Sequence, residues 1–310
     1  MFFSLARLVL NRLRMKSSEI QRVVYHLPWY SRFSQHHLRR YLKKVQRKNR
    51  LKNYPQLACV PSDAIGQWIV LNGLYEEELL ISFETVFKHY LAKFKQQTFI
   101  DVGANIGNHS LFFSRYFKEV IAFEPNPTAL KLLETNIFLN QTKNIHMAPI
   151  GLSNESGTLP FIENSENLGG SKFNLKCPHT ATYKKLNVEK GDTILYRDFK
   201  ASSIGIIKLD IEGFELQALQ GLKQTLIQYQ PVVLFEAHTS QGETGSQAIF
   251  DYLSPLHYAY FYTLERKKLN SGLINLLVRL LSGYEIVLRP LTRPKNQFYS
   301  LIIATTTPLE

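Results

Sequence analysis

Between positions 98 and 108 the chain reads Thr-Phe-Ile-Asp-Val-Gly-Ala-Asn-Ile-Gly-Asn, an apolar run that ends in a Gly-punctuated turn and enters a helical pattern near Asn108. A buried strand running straight into a tight turn and a helix is the opening unit of a parallel sheet. Such a corner brings backbone N–H groups and a helix N-terminus towards the polar part of a nucleotide-like ligand, and glycine lets the backbone approach closely. A second strand, Val120-Ile121-Ala122-Phe123, ends at Glu124, 21 residues after Gly103, where a carboxylate suits the two hydroxyls of a ribose. A structural corner with incidental glycines would account for the turn alone, but not for the carboxylate at the end of the next strand.

The glycine spacing separates two ligand classes. A dinucleotide fingerprint beginning at Gly103 requires glycine at 105 and 108, where this chain has Asn105 and Asn108, so a pyrophosphate would meet side chains. S-adenosylmethionine carries no phosphate, and its methionine part needs only the room that Gly103 and Gly107 leave beside the turn.

Alternating segments continue on both sides. Strands are expected at 67–71, 98–102, 119–123, 145–150, 204–209 and 232–235, and helices at 76–95, 108–116, 127–139 and 214–228. That order predicts an α/β, doubly wound, mostly parallel sheet. Residues 258–263 and 299–304 supply a closing antiparallel pair, and the sheet itself is expected to be seven-stranded and Rossmann-like. Gly151 to Asn174, rich in Gly, Ser and Asn, reads as a loop over the ligand pocket with a short hairpin at Gly157 to Ile162.

Four motifs occur in order: Asp101 to Gly107; Phe123-Glu124-Pro125-Asn126-Pro127; Ile207-Lys208-Leu209-Asp210-Ile211-Glu212-Gly213-Phe214-Glu215; and Leu234-Phe235-Glu236-Ala237-His238. Together they resemble the FkbM-type family of S-adenosylmethionine-dependent methyltransferases, over roughly residues 60 to 240. The third motif departs mildly at Phe214, where a small residue is commoner, which narrows the expected pocket. The resemblance implies methyl transfer, commonly to a hydroxyl of a sugar or other small natural product. It also implies donor contacts from Asp101, Gly103, Asn105, Gly107, Glu124, Pro125 and Asn126.

In open α/β sheets the ligand crevice lies beyond the carboxyl ends of the strands at the topological switch point, here between the strands ending at Asp101 and Leu209. Asp210, Glu212, Glu236 and His238 then form a proton-transfer site, with Asp210 or His238 as general base and Glu212 and Glu236 orienting the acceptor. Competing readings exist. Asp210 can cap the following helix, with Glu212 and Glu215 near its positive end, and His238 can be an ordinary loop histidine. The oxygen-rich set suits Mg²⁺, but its spacing demands no metal and none is assigned. Nucleobase amino-methylation is disfavoured because no Asn-Pro-Pro-aromatic motif follows the fourth strand.

Charge marks off an arm. Of the 37 basic residues, 14 lie before position 54 with Glu19 as the single acid there, whereas the 23 basic and 24 acidic residues after it nearly cancel. We therefore divide the chain into an arm, 1–55, and a methyltransferase domain, 56–310, with a helical insertion at about 265–298. The arm opens with an amphipathic helix carrying Phe2, Leu5, Ala6, Val9 and Leu13 on one face. Arg7 and Arg12 interrupt it too early for it to span a bilayer or to serve as a signal peptide. A peripheral contact of residues 1–53 with an anionic membrane, and ordinary solvation, both suit it better than nucleic acid, for which no stacking platform is present. Within the insertion, Leu273 to Leu281 reads as an apolar helix for core packing or dimerisation, or as a channel wall or membrane-dipping helix. Cys59 and Cys177 are too few for a disulfide framework, so a reducing, cytoplasmic location with peripheral membrane contact is expected. The competing function is a catalytically idle adaptor that keeps the donor pocket while the arm recruits membranes or partners.

Overall fold

The computed structural model describes residues 28–164, 167–174, 183–237, 245–266, 285–293 and 298–309. The amphipathic helix expected at Phe2 to Leu13 and the apolar helix at Leu273 to Leu281 lie outside the described residues, as does His238. Contacts divide the chain into two units, Met1–Lys44 and Val45–Glu310. Helix α1 (Trp29–Leu51) carries most of the basic cluster. Near its end Lys48, and just past it Lys52, pair with Glu77 at 2.6 and 3.2 Å.

The second unit continues through α2 (Ala64–Asn72), α3 (Glu77–Val86), α4 (Leu91–Phe94), β1 (Thr98–Val102), α5 (Asn108–Phe113), β2 (Glu119–Phe123), α6 (Pro127–Leu139) and β3 (Ile145–Ala148). There follow β4 (Gly151–Ser153), β5 (Gly157–Ile162), β6 (Lys172–Phe173), β7 (Lys184–Lys190), α7 (Gly191–Ile194), β8 (Ile204–Leu209), α8 (Glu215–Gly221) and α9 (Lys223–Tyr229). The described chain closes with β9 (Val232–Ala237), α10 (Ser246–Leu253), β10 (Tyr260–Arg266), β11 (Ile286–Pro290) and β12 (Tyr299–Thr305).

Among the described residues the main sheet has eight strands in the order β11-β10-β12-β9-β8-β1-β2-β3. The pairs from β3 through β9 are parallel; β12, β10 and β11 are antiparallel. The chain moves outward from β1 to β3 and then returns to lay β8 against the other side of β1, so the crevice beyond these two strands is the switch point.

Burial on both faces explains why β1 and β8 read as continuous apolar runs. Alternate residues serve opposite layers. Ile100, Val102, Ile207, Leu209 and Val233 pack with Leu219, Leu222, Leu226 and Leu253. Phe99, Val120, Ile206 and Leu234 pack with Leu80, Phe83, Phe87, Phe112 and Phe113. Each such side chain contributes about 1.5–3 kcal/mol by leaving water. Asp101 and Lys208 are register partners on this second, aromatic-rich face, which makes their polarity conspicuous.

Four expectations need correction. Residues 67–71 are helical, within α2: Ile65 and Ile69, one turn apart, bury together against Ile106, and Gly73 closes the helix at φ +94°. Apolar runs this short suit either state, and packing decided. The segment at 157–162 is a single strand instead of a hairpin. It pairs with β6 and β7 in a second sheet, β4-β7-β5-β6, whose strand β7 reads as solvated because Leu186 and Val188 stand among Lys and Glu. Residues 149–150 leave the strand that begins at Ile145, and Gly151 starts the second sheet. Finally, part of the expected helical insertion is strand β11, which pairs with β10 and adds the eighth strand.

Candidate active site

The first turn is built by hydrogen bonds that stay inside the protein. Gly103 and Ala104 N–H both donate to the Phe123 carbonyl at 3.0 Å, Gly107 N–H donates to the Ala104 carbonyl at 2.8 Å, and Asn105 N–H donates to Glu124 Oε2 at 2.8 Å. The expected presentation of these N–H groups to a ligand is therefore not what the structure shows: these four are already used, which removes the donors a pyrophosphate would need. Gly103 is required by shape, since at φ +82° an added Cβ would lie 2.0 Å from the Asp210 carbonyl oxygen.

Glu124, at the end of β2, is 7% exposed. Each of its carboxylate oxygens accepts one backbone N–H, from Asn105 and from Asn126, both at 2.8 Å. Each oxygen keeps lone pairs for a further donor, the complement a vicinal diol requires. Burial, against the pull of these two N–H groups, pushes the Glu124 carboxyl up to about 7. The Asn126 side chain caps α6 by accepting from Thr128 N–H at 3.0 Å, ahead of Pro127 at the first helical position.

One cleft is lined by Gly103, Asn105, Glu124, Pro125, Asp210, Glu212 and Glu236. Of the remaining candidates, Asp101 is fully buried behind the turn, Gly107 packs on Leu133, and Asn126 works as a cap. Phe214 does not line the cleft; it packs on Phe173, which does, with ring centroids 5.6 Å apart.

Asp210 is free to face the cleft because Glu215 takes over the turn. Glu215, 2% exposed, accepts the Ile211 and Gly213 N–H groups, both at 3.1 Å, which Asp210 would otherwise be needed to cap. Lys208 Nζ lies 3.2 Å from Asp210 Oδ2 and 3.7 Å from Asp101 Oδ1; Ser110 donates to Asp101 Oδ2 at 2.6 Å. Glu236, at the end of β9, is hydrogen-bonded to Asp210. Burial and the neighbouring Asp210 charge push Glu236 up to about 9. Burial works against Asp210 ionisation, but Lys208, His109 and the Glu236 hydrogen bond outweigh it, so Asp210 is held below its ordinary range. Burial likewise opposes the charge on Lys208, and Asp210, Asp101 and Glu76 more than offset it.

Sequence reasoning missed four residues that join this cluster: Tyr75, Glu76, His109 and Lys208 all line the cleft, and His109 Nε2 lies 3.3 Å from Glu76 Oε2. Only Lys208 left a readable signal, a lysine inside an apolar strand two residues from an aspartate. Among the described residues, no group of three or more His, Cys, Asp or Glu side chains could hold a metal ion, and no helix is long and apolar enough to cross a membrane.

A crevice at the switch point of a doubly wound sheet, with a carboxylate at the end of the second strand and the first turn's N–H groups from Gly103, Ala104, Asn105 and Gly107 tied inside the protein, is the architecture of a class of proteins that bind a nucleoside-containing donor. The model of the methyltransferase FkbM domain matches residues 101–262. This chain belongs to that family, whose methyl donor is S-adenosylmethionine. Hexuronic acid methyltransferase AglP of Haloferax volcanii is 31% identical over 145 residues, covering 44% of this chain and 54% of that one. Methyltransferase sdnD of Sordaria araneosa is 28% identical over 155 residues, covering 40% and 60%. The aligned region thus spans little more than half the length of these curated relatives. A crystal structure of methyltransferase FkbM from Methylobacillus flagellatus is similar with a TM-score of 0.41 at 15% identity, covering 86% of this chain and 59% of that one.

The residues present fit this donor: Glu124 retains lone pairs at the cleft wall, Gly103 leaves a surface free of side chain, and Asn105 Oδ1 is a buried acceptor with no hydrogen-bond partner among the described residues. A pH dependence follows for Glu124. Its folded value, about 7, exceeds the ordinary 4.5, so the folded protein holds an extra proton between these values. This contribution to stability is complete below the ordinary value and is lost as pH rises through about 7. A ribose diol held at Glu124 would favour the ionised form, and donor binding would then expel that proton. Donor affinity measured by calorimetry is expected to rise about tenfold from pH 6 to pH 8, and Glu124→Gln to flatten the dependence.

Proposed function

We propose that this chain transfers the methyl group of S-adenosylmethionine to a hydroxyl oxygen of a sugar or another small natural product, with Asp210 as general base. The observation that carries this reading is the hydrogen-bonded Asp210–Glu236 pair at adjacent strand ends, facing the same cleft as Glu124. When bound, the donor supplies a methyl group already made electrophilic by its positive sulfur. The protein's part is then to hold the acceptor oxygen and remove its proton. Asp210, kept anionic by Lys208, accepts the hydroxyl proton on its carboxylate. Glu236 keeps its own proton and donates to Asp210, while Glu212 and Glu236 orient the acceptor. His238 follows Ala237 at the end of β9 in sequence and is the second candidate for the base.

A sugar acceptor draws support from the relative named for hexuronic acid methylation. A catalytically idle adaptor accounts poorly for the cluster, because a buried ammonium and carboxylate, Lys208 and Asp101, beside the half-buried Asp210 and Glu236 are costly to keep without use. Purified protein incubated with methyl-labelled S-adenosylmethionine and uronic acid glycans, neutral glycans and phenols is expected to release S-adenosylhomocysteine and leave label in a base-stable ether. Label lost on mild base treatment would indicate a carboxyl ester, and label on an amine would overturn oxygen as the acceptor atom. Absence of saturable donor binding would overturn the reading altogether.

A further inference from the structure

Lys208 occupies an unusual position for a lysine. It lies inside β8, is 6% exposed, and pairs in register with Asp101 on β1 and Leu234 on β9. Its sheet face is otherwise covered by Phe99, Ile206, Leu234 and Ile303. An ammonium there requires neutralisation, and Nζ reaches two carboxylates, Asp210 Oδ2 at 3.2 Å and Asp101 Oδ1 at 3.7 Å. These two are not equivalent. Asp101 is sealed off and already accepts from Ser110 Oγ at 2.6 Å, whereas the Asp210 side chain is one-third exposed, at 33%, and opens on the cleft.

We propose that Lys208 is a positioning residue for proton transfer: its ammonium, fixed between Asp101 and Asp210, holds Asp210 anionic and thereby leaves the proton of the Asp210–Glu236 pair on Glu236. Two adjacent carboxyls that share a hydrogen bond carry a single proton over a wide pH range, and an asymmetric charge decides which of them holds it. Lys208 provides that asymmetry because it touches Asp210. Other charged or titratable groups surround the pair: Asp101 from β1, Glu124 from β2, Tyr75 and Glu76 from the entry to α3, His109 from α5, and Glu212 from the turn after β8. The carboxylates and the Tyr75 hydroxyl leave Lys208 as the permanent cation nearest Asp210, with His109 adding charge only when protonated. The directions of titration agree, Asp210 being held down and Glu236 pushed up.

The inference rests on Asp210 as proton acceptor for its meaning in catalysis, but the place of the proton can be read without any acceptor. The full chain, with ¹³C-carboxyl-labelled Asp and Glu, is titrated by NMR with and without S-adenosylmethionine. At pH 8, where Glu124 is ionised and Glu236, at about 9, is not, a protonated carboxyl assigned to Glu236 is expected, and it should vanish in Glu236→Gln. In Lys208→Met the ionisation midpoint of Asp210 should rise by about one to three pH units, while Lys208→Arg, which restores the charge, should stay close to the wild type. Where turnover is measurable, the acid limb of its pH profile should move by the same amount. An unchanged Asp210 midpoint in folded Lys208→Met overturns the proposal, as does an Asp210 carboxyl found protonated at pH 8 while Glu236 is ionised. Should Lys208→Met fail to fold, Glu236→Gln and Lys208→Arg decide the matter. If the midpoints move as stated and no acceptor is ever methylated, the proposed reaction fails while the role of Lys208 in placing the proton stands.

Discussion

Asp210→Asn is expected to lower turnover by about 10² to 10⁴ while donor affinity stays within a few-fold, because the amide keeps the shape of the side chain and cannot take a proton at neutral pH. The breadth of that range has a structural source. Removing the Asp210 charge also removes one of the forces that raise Glu236, so Glu236 ionises more readily and can stand in as an inferior base. The double variant Asp210→Asn/Glu236→Gln should therefore fall below either single variant. Steady-state kinetics together with calorimetry of donor binding check both statements. Wild-type turnover in Asp210→Asn would move the base to His238 or Glu236, and a large loss of donor affinity would make Asp210 a donor ligand instead.

The contrast between Asp210 and Glu215 shows how far the sequence could be read. Both stand near the start of α8, and from the sequence either can cap it or face a substrate. The structure divides the work: Glu215 is buried and ties the Ile211 and Gly213 N–H groups, and Asp210 turns to the cleft. That division depends on the left-handed turn through Glu212 and Gly213, at φ 55° and 95°, which no single-residue preference foretells for a glutamate. The strands β1, β2 and β8 were legible to the residue, since continuous burial leaves an unbroken apolar run. Helix α6 was equally clear, with Asn126 and Pro127 marking its start.

What escaped sequence reading are the features decided by distant partners. Strand β7 owes its place to Gly157–Phe161, which pair with it across a long connection, Gly157 with Val188 and Phe161 with Lys184, and its own charged residues hide the period-two signal. The cluster around Lys208 is a convergence of four separate elements. Glu76 arrives at the start of α3 in a left-handed conformation, φ 53°, and meets His109 from α5 at 3.3 Å; nothing in the spacing of positions 76, 109, 208 and 236 announces that they share a cleft. The carboxylates at strand ends were readable because topology alone carries them there. Their counter-ion was not, because it depends on which face of β8 the lysine occupies.

Glu124→Ala is the second variant with a large expected effect, a loss of about a hundredfold in affinity for S-adenosylmethionine, since a charge-assisted hydrogen-bonded pair contributes roughly 2–4 kcal/mol. The same carboxylate also receives the Asn105 and Asn126 N–H groups, so alanine strands two donors of the turn. Each buried unpaired donor costs about 1–3 kcal/mol, partly returned by relieving the buried acid, and the melting temperature should fall. Glu124→Gln separates the two roles: its side-chain oxygen can still accept one backbone N–H, which keeps most of the stability, but it lacks the charge and the second acceptor that a diol needs. Calorimetry at pH 8, where Glu124 is ionised, should therefore show both variants weak for the donor, whereas thermal unfolding should show alanine alone strongly destabilised. Unchanged donor affinity in both would remove Glu124 from the ribose and leave it as a brace between the first turn and the start of α6.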